Sequence, residues 1–255
     1  MFTVAPDLSM VPRFGVAGWT IVLVAIGYLV VLTLRGRRAL LMLQAARPAD
    51  PAALVTFYRR NVTRKIGLLP PVALLLLVVP GLRPAHLGLA WPHGPSAGAT
   101  LGHFAYFVVV ILITGLWWRR SARRGEPVPR PRRLEILVPA TGAERRWAWA
   151  VSISAGICEE LVFRGLLITA GIAAGWPPIV AALASSVLFG MAHLYQGWLG
   201  MLLTGALGMA MAYFYLPTGS LLIPIVLHTL IDLRGLVMVP AVATPPEPVQ
   251  RDSVN

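Results

Sequence analysis

The sequence predicts an all-α protein, a polytopic transmembrane helix bundle of about seven spans with a polar site between spans four, five and seven. Three observations lead there. Of the 255 residues, 57% are hydrophobic and 13% charged, against about 25% charged in a soluble domain. The deficit extends over most of the chain, which sets it apart from a soluble domain with one anchor. Seven apolar runs approach the roughly 20 residues a helix needs to cross hydrocarbon, and acidic side chains recur inside two of them.

In chain order the runs are 14–34, 66–82, 101–118, 147–174, 178–194, 198–216 and 219–239. The second and fifth are short. The fourth is longer than a straight span requires and is predicted to tilt or kink. Arg35, Arg37 and Arg38 follow the first run as a stop-transfer flank, so it reads as a retained span and not as a cleaved leader. The loop before span two carries Arg35, Arg37, Arg38, Arg47, Arg59, Arg60, Arg64 and Lys65 against Asp50 alone. The next loop has only Arg83, and loop 119–146 is again rich in arginine. The positive-inside rule places the first and third of these loops in the cytoplasm, with the N-terminus outside and the C-terminus inside. A turn at Pro217 and Thr218 joins the last two spans. Three regions follow: 1–146, with three spans and basic loops; 147–239, a helix core that holds the acidic side chains within apolar runs; and 240–255, a Pro-rich tail predicted to be disordered.

The net charge is +12, and Lys65 is the only lysine among 22 basic residues. The arginines flank apolar runs without base-stacking aromatics among them, which argues for membrane orientation and anionic lipid contact, not nucleic acid. Heavy use of Arg, Ala, Pro and Gly suggests a GC-rich bacterial source, and hence a bacterial inner membrane. The single cysteine, Cys158, excludes an internal disulfide and a thiolate metal cage.

Glu159, Glu160, Arg164, His193, His228 and Asp232 stand inside apolar runs. An acid or arginine at a helix centre costs about 2.5–3.5 kcal/mol on insertion scales. Such groups must pair or line a wet cavity, which makes the cluster a functional candidate. In Glu159-Glu160-Leu161-Val162-Phe163-Arg164, Glu160 and Arg164 are i,i+4 neighbours and can pair. Glu159 is turned about 100° away, without a local cation, and is available as a base. Phe189 and His193 share a helix face, as do His228 and Asp232. At about 1.5 Å per residue, Glu159 and His228 reach similar depths. His193 lies nearer the inner end of its run, so a tilt or break is needed to bring the three together.

These three motifs, EExxxR, FxxxH and HxxxD in this order, resemble the CPBP family of CAAX proteases and bacteriocin-processing enzymes, which includes the type II CAAX prenyl endopeptidase. The resemblance covers roughly 147–234. It implies an intramembrane endopeptidase in which Glu159 activates water with help from His193, while His228 and the residue at 232 stabilise the oxyanion. Glu160 and Arg164 are supporting residues. Many members of the family have asparagine at the last position, where this chain has Asp232. A carboxylate donates to an oxyanion only when protonated, so Asp232 must be neutral, orient His228 or ligate a metal. Glu159, His193 and His228, with Asp232, would make a plausible zinc shell, but HExxH is absent and metal-free glutamate chemistry is the preferred reading. The expected substrate is a protein or peptide cut near its C-terminus or at the membrane edge.

Other features carry less. Cys158 lacks a partner base and stands next to Glu159. His86, His93 and His103 lie in or beside an outer loop and read as solvated or interfacial. Gly171 and Gly175 fit the small-xxx-small packing pattern. From other function classes, a proton-coupled transporter would use the same carboxylates and histidines as a relay, but no inverted repeat is present. A non-catalytic scaffold or immunity protein is the remaining alternative.

Overall fold

The structure, a computed structural model, describes residues 4–126, 128 and 132–238. The expected disordered tail lies outside the described residues. Among those described, every regular element is helical. The principal helices are α1 (Val16–Ala46), α2 (Ala53–Ile66), α3 (Leu69–Val78), α4 (Ala97–Arg123), α5 (Gly142–Glu160), α6 (Thr169–Ala173), α7 (Pro178–Ala192), α8 (Trp198–Thr218) and α9 (Leu222–Leu233). Two π-helical segments interrupt the series, Leu161–Ile168 between α5 and α6, and Arg234–Met238 after α9.

Four helical stretches are long and apolar enough to cross a membrane: Val16–Ala46, Ala53–Val78, Ala97–Arg123 and Trp198–Thr218. Their outer faces carry exposed apolar side chains such as Leu23, Leu77, Ile113 and Leu199. Water would penalise such surface, whereas lipid tails accept it. The chain is an integral, multi-pass membrane protein. The other three apolar runs form short or interrupted helices, a tilt or kink having been expected of the fourth. Run 178–194 yields the 15-residue helix α7, and runs 147–174 and 219–239 pass through the π-helical segments. These short or broken helices are the ones that carry the polar site. Irregular backbone is tolerated at membrane depth only where protein or a wet cavity satisfies it. Here Ser185 Oγ on α7 donates to the Phe163 carbonyl inside the first π segment, at 2.5 Å.

Local chemistry sets the element ends. Thr141 caps α5: Glu144 N–H donates to Thr141 Oγ1 at 3.2 Å, and Thr141 N–H donates to Glu144 Oε2 at 3.1 Å. This reciprocal box satisfies two otherwise orphaned donors. Arg47, at the end of α1, donates to the Ile136 and Val138 carbonyls and pairs with Glu144. The expected span at 66–82 is preceded by α2, a basic helix where a loop was expected. Tyr28 Oη bonds the Arg64 carbonyl at 3.0 Å and fixes the elbow between α2 and α3.

On the other side, His86 is buried, contrary to its expected solvated position. Its Nδ1 accepts the Arg83 backbone N–H at 3.0 Å, and its carbonyl accepts Thr169 Oγ1 at 2.7 Å. Burial and the Arg83 guanidinium hold its pKa below the ordinary 6.5. Gly88 follows with φ +76°, pressed against Tyr215 and Leu221 where no side chain would fit. The chain reversal expected at Pro217 and Thr218 falls two residues later: both lie in the last turn of α8, and Gly219 is left-handed. Of the expected glycine packing pair, only Gly171 meets a neighbour, Ala181; Gly175 makes a chain reversal instead.

Helix α5 is flanked by α2 and α9, and α8 runs along α7. The α5–α9 approach is closest at Gly156. A Cβ built there would lie 2.2 Å from Thr229 Oγ1 and 2.9 Å from the Ile225 carbonyl oxygen. This contact is one turn before Glu160, so it determines whether α9 can present His228 to that glutamate. Gly156→Ala should push the helices apart and lower stability by about 1–3 kcal/mol. A thermal unfolding scan in detergent that shows no loss would contradict this account of the α5–α9 contact.

Candidate active site

Helix α5 ends in two buried glutamates. Glu160 is fully buried and Glu159 is 8% exposed. Glu160 Oε1 accepts Arg164 Nη1 at 2.8 Å, the i,i+4 pair that the spacing predicts. The same oxygen meets His228 Nδ1 at 2.7 Å. Arg164 also donates from Nη2 to the Gly208 carbonyl at 3.0 Å, and its guanidinium lies 4.4 Å over the Phe189 ring. One carboxylate therefore joins α5, the π segment and α9, and its arginine reaches on to α7 and α8.

His193 stands at the C-cap of α7, where the helix breaks into a short 3₁₀ turn. Its Nδ1 lies 2.8 Å from the Phe189 carbonyl. A carbonyl can only accept, so Nδ1 bears a proton, and in the neutral ring Nε2 carries the lone pair. The break supplies what the run's depth required, because the ring turns back toward α5. Phe189 lies at 4.7 Å from the His193 ring and 5.8 Å from the His228 ring, bridging the two.

Glu159 Oε2 lies 3.9 Å from His193 Nε2 and 3.9 Å from His228 Nε2, and it has no hydrogen-bond partner. His228 Nε2 is also 3.9 Å from Asp232 Oδ2. Glu159, His193, His228 and Asp232 thus share one cavity of about 480 Å³, within the size range of ligand pockets. The cavity extends past Tyr195 and Gln196 toward Arg64, Trp118 and Arg234. Cys158 is buried beside the glutamates and does not line it.

The sequence gives Glu159 no local cation, and the structure brings one from far along the chain. Lys65, on α2, donates from Nζ to Glu159 Oε1. By sequence it is one more loop charge, because its partner lies 94 residues away and no local pattern links them. The available signal was its singularity as the only lysine among 22 basic residues. Arg234 was also missed. It donates to Thr114 Oγ1 at 3.1 Å and stacks 4.4 Å over Trp118, and its buried Nε has no partner.

The zinc shell, the less preferred alternative above, gains no support from this arrangement. Among the described residues, no group of three ligand side chains is placed to hold a metal, and the Lys65 ammonium already occupies one oxygen of Glu159. A cation bound at the other oxygen would be repelled by that like charge.

Residues 143–234 match the family model described as type II CAAX prenyl endopeptidase Rce1-like. This segment is similar to the CAAX-protease family. The match spans a little over a third of the chain and bears out the resemblance of the three motifs. It indicates a protease that acts on a protein or peptide in a membrane setting. No match is found among curated proteins or among solved structures.

Glu160 is the structural member of the glutamate pair. Glu160→Gln leaves Arg164 and His228 facing a neutral amide and should cost about 3–5 kcal/mol, the usual penalty for breaking a buried pair. The check is yield and melting temperature in detergent; a wild-type melting temperature would rule this role out.

Proposed function

We propose that the chain is an intramembrane endopeptidase of the glutamate type, hydrolysing a peptide bond near the C-terminus of its substrate or at the membrane edge. The observation that carries this reading is the Glu159 oxygen with no partner, aimed between two histidine nitrogens. A separation of 3.9 Å is too long for a direct hydrogen bond and suits one bridging water.

Glu159 Oε2 takes a proton from that water, whose second hydrogen is held by His193 Nε2. The oxygen then attacks the substrate carbonyl. His228, carrying both protons, donates from Nε2 to the developing oxyanion while Glu160 holds its Nδ1–H. The proton on Glu159 passes to the leaving amine as the C–N bond breaks. The chemistry is metal-free.

Arg234 supports the C-terminal preference. It has no carboxylate partner among the described residues, yet Thr114 and Trp118 hold it in place along the cavity. Such an arginine suits a substrate carboxylate. The site lies in a bacterial inner membrane, with the arginine-rich loops in the cytoplasm.

Glu159→Gln keeps the shape and removes the base. It should remain folded and lose at least about 10³-fold in kcat. Chelator should leave the wild type active. Turnover of an internally quenched peptide tests both; an active Gln variant ends the glutamate mechanism, and chelator-sensitive wild type ends its metal-free form. Arg234→Gln should raise KM about tenfold for a peptide with a free C-terminus and have little effect when that terminus is amidated. Equal effects on both peptides would remove Arg234 from substrate recognition.

A further inference from the structure

Lys65 lies within the site but has no part in the mechanism above. It is the chain's only lysine, it comes from α2, outside the matched segment 143–234, and it lines the cavity. Its Nζ holds Glu159 Oε1, the oxygen turned away from the two histidines. Asp232, on the same cavity, stands 3.9 Å from His228 Nε2.

The carboxylate at 232 poses an electrostatic problem. A tetrahedral oxyanion formed beside His228 would develop next to this carboxyl group, which repels it when ionised. An asparagine would offer an amide N–H; ionised Asp232 offers only acceptors. With Glu160 and Arg164 paired to each other, the cavity presents two further carboxylates, Glu159 and Asp232; the Lys65 ammonium is the cation bound to Glu159, while Arg64 and Arg234 lie further along the cavity.

We propose that Lys65 is a catalytic residue that donates to the oxyanion, supplying the hydrogen-bond donor that Asp232 lacks. The inference rests on the glutamate-type hydrolysis proposed above. Before attack, Lys65 is bound to ionised Glu159. As water adds, its proton passes to Glu159, the new C–O bond forms, and the carbonyl π pair moves onto the substrate oxygen. Negative charge leaves Glu159 and appears on that oxygen. The ammonium, with three donors on a flexible stem, follows the charge. When the C–N bond breaks, the proton on Glu159 goes to the leaving amine, the carbonyl reforms, and Lys65 returns to Glu159. The interaction with the oxyanion exists only in the transition state and its intermediate, so its loss should reduce kcat more than it raises KM. Arginine would keep the charge but favour a fixed bidentate grip on the carboxylate, which suits this transfer poorly.

A double-mutant cycle on the full chain in detergent tests the proposal, using the internally quenched peptide that wild type cleaves fastest from a mixed set. Lys65→Met should lower kcat at least about 10²-fold, with KM changed less than about threefold. In the Asp232→Asn background the same substitution should cost at least about tenfold less, because the amide at 232 then donates. A merely structural lysine predicts no such rescue. Should Lys65→Met fail to fold, Lys65→Gln completes the same cycle and keeps a hydrogen bond to Glu159. An equal loss in both backgrounds, full activity of the Lys65 variant, or an effect confined to KM would each overturn the proposal. Activity that survives Glu159→Gln would instead defeat the underlying hydrolytic reading, whatever the cycle shows.

Discussion

The arrangement of the polar residues depends on one buried carboxylate. Glu160 is held by Arg164 from its own helix and by His228 from α9, and Arg164 extends the connection to the Gly208 carbonyl. Each of these groups would be costly alone in an apolar interior. Together they satisfy one another and fix the spacing of α5, α8 and α9. The consequence for Glu159 is indirect but strong. With Glu160 committed, the neighbouring glutamate is turned to the opposite side, where the cavity, Lys65 and the histidine Nε2 atoms are found. The two adjacent glutamates have opposite tasks because successive helical positions point about 100° apart.

Much of this arrangement is legible from short-range patterns. The Glu160–Arg164 pair and the shared face of Phe189 and His193 are spacings of four on a helix, and the structure reproduces both. The grouping of Glu159 with His193 and His228 follows from the expense of ionisable residues in apolar runs. Their chemical roles are the part that remains a proposal. The illegible features depend on distance along the chain. Lys65 meets Glu159 only because α2 packs on α5, and no periodicity encodes that. His86 was misread because a histidine beside arginine in a short polar connection resembles a solvated one. The tight turn between Pro84 and Gly88 folds it inward. Hydropathy registers apolar length and is blind to π turns; the length of run 147–174 and the depth of His193 call for a kink or break, but not for its form.

The basic residues divide along the same line. Most arginines lie at helix ends and exposed loops, where they fit the charge asymmetry of a membrane protein. Arg47, Arg164 and Arg234 have specific partners inside the fold, and Lys65 faces the candidate base. A count of positive charge conceals this division, which emerges only from the burial and partners of each residue.

The π-helical segment Leu161–Ile168 has an implication for how the chain can change length. Such a segment accommodates extra backbone within a helix that continues on both sides. Losing one residue between Arg164 and Thr169 would tighten the wide turn to an α-turn and spare the Glu160–Arg164 pair, with the following helix still in phase. Thr169 would stay facing the His86 carbonyl, and Gly171 would stay against Ala181. The same loss within α5 would rotate everything after it by about 100°: a single-codon deletion should be tolerated better in the π segment than in the α-helix before it.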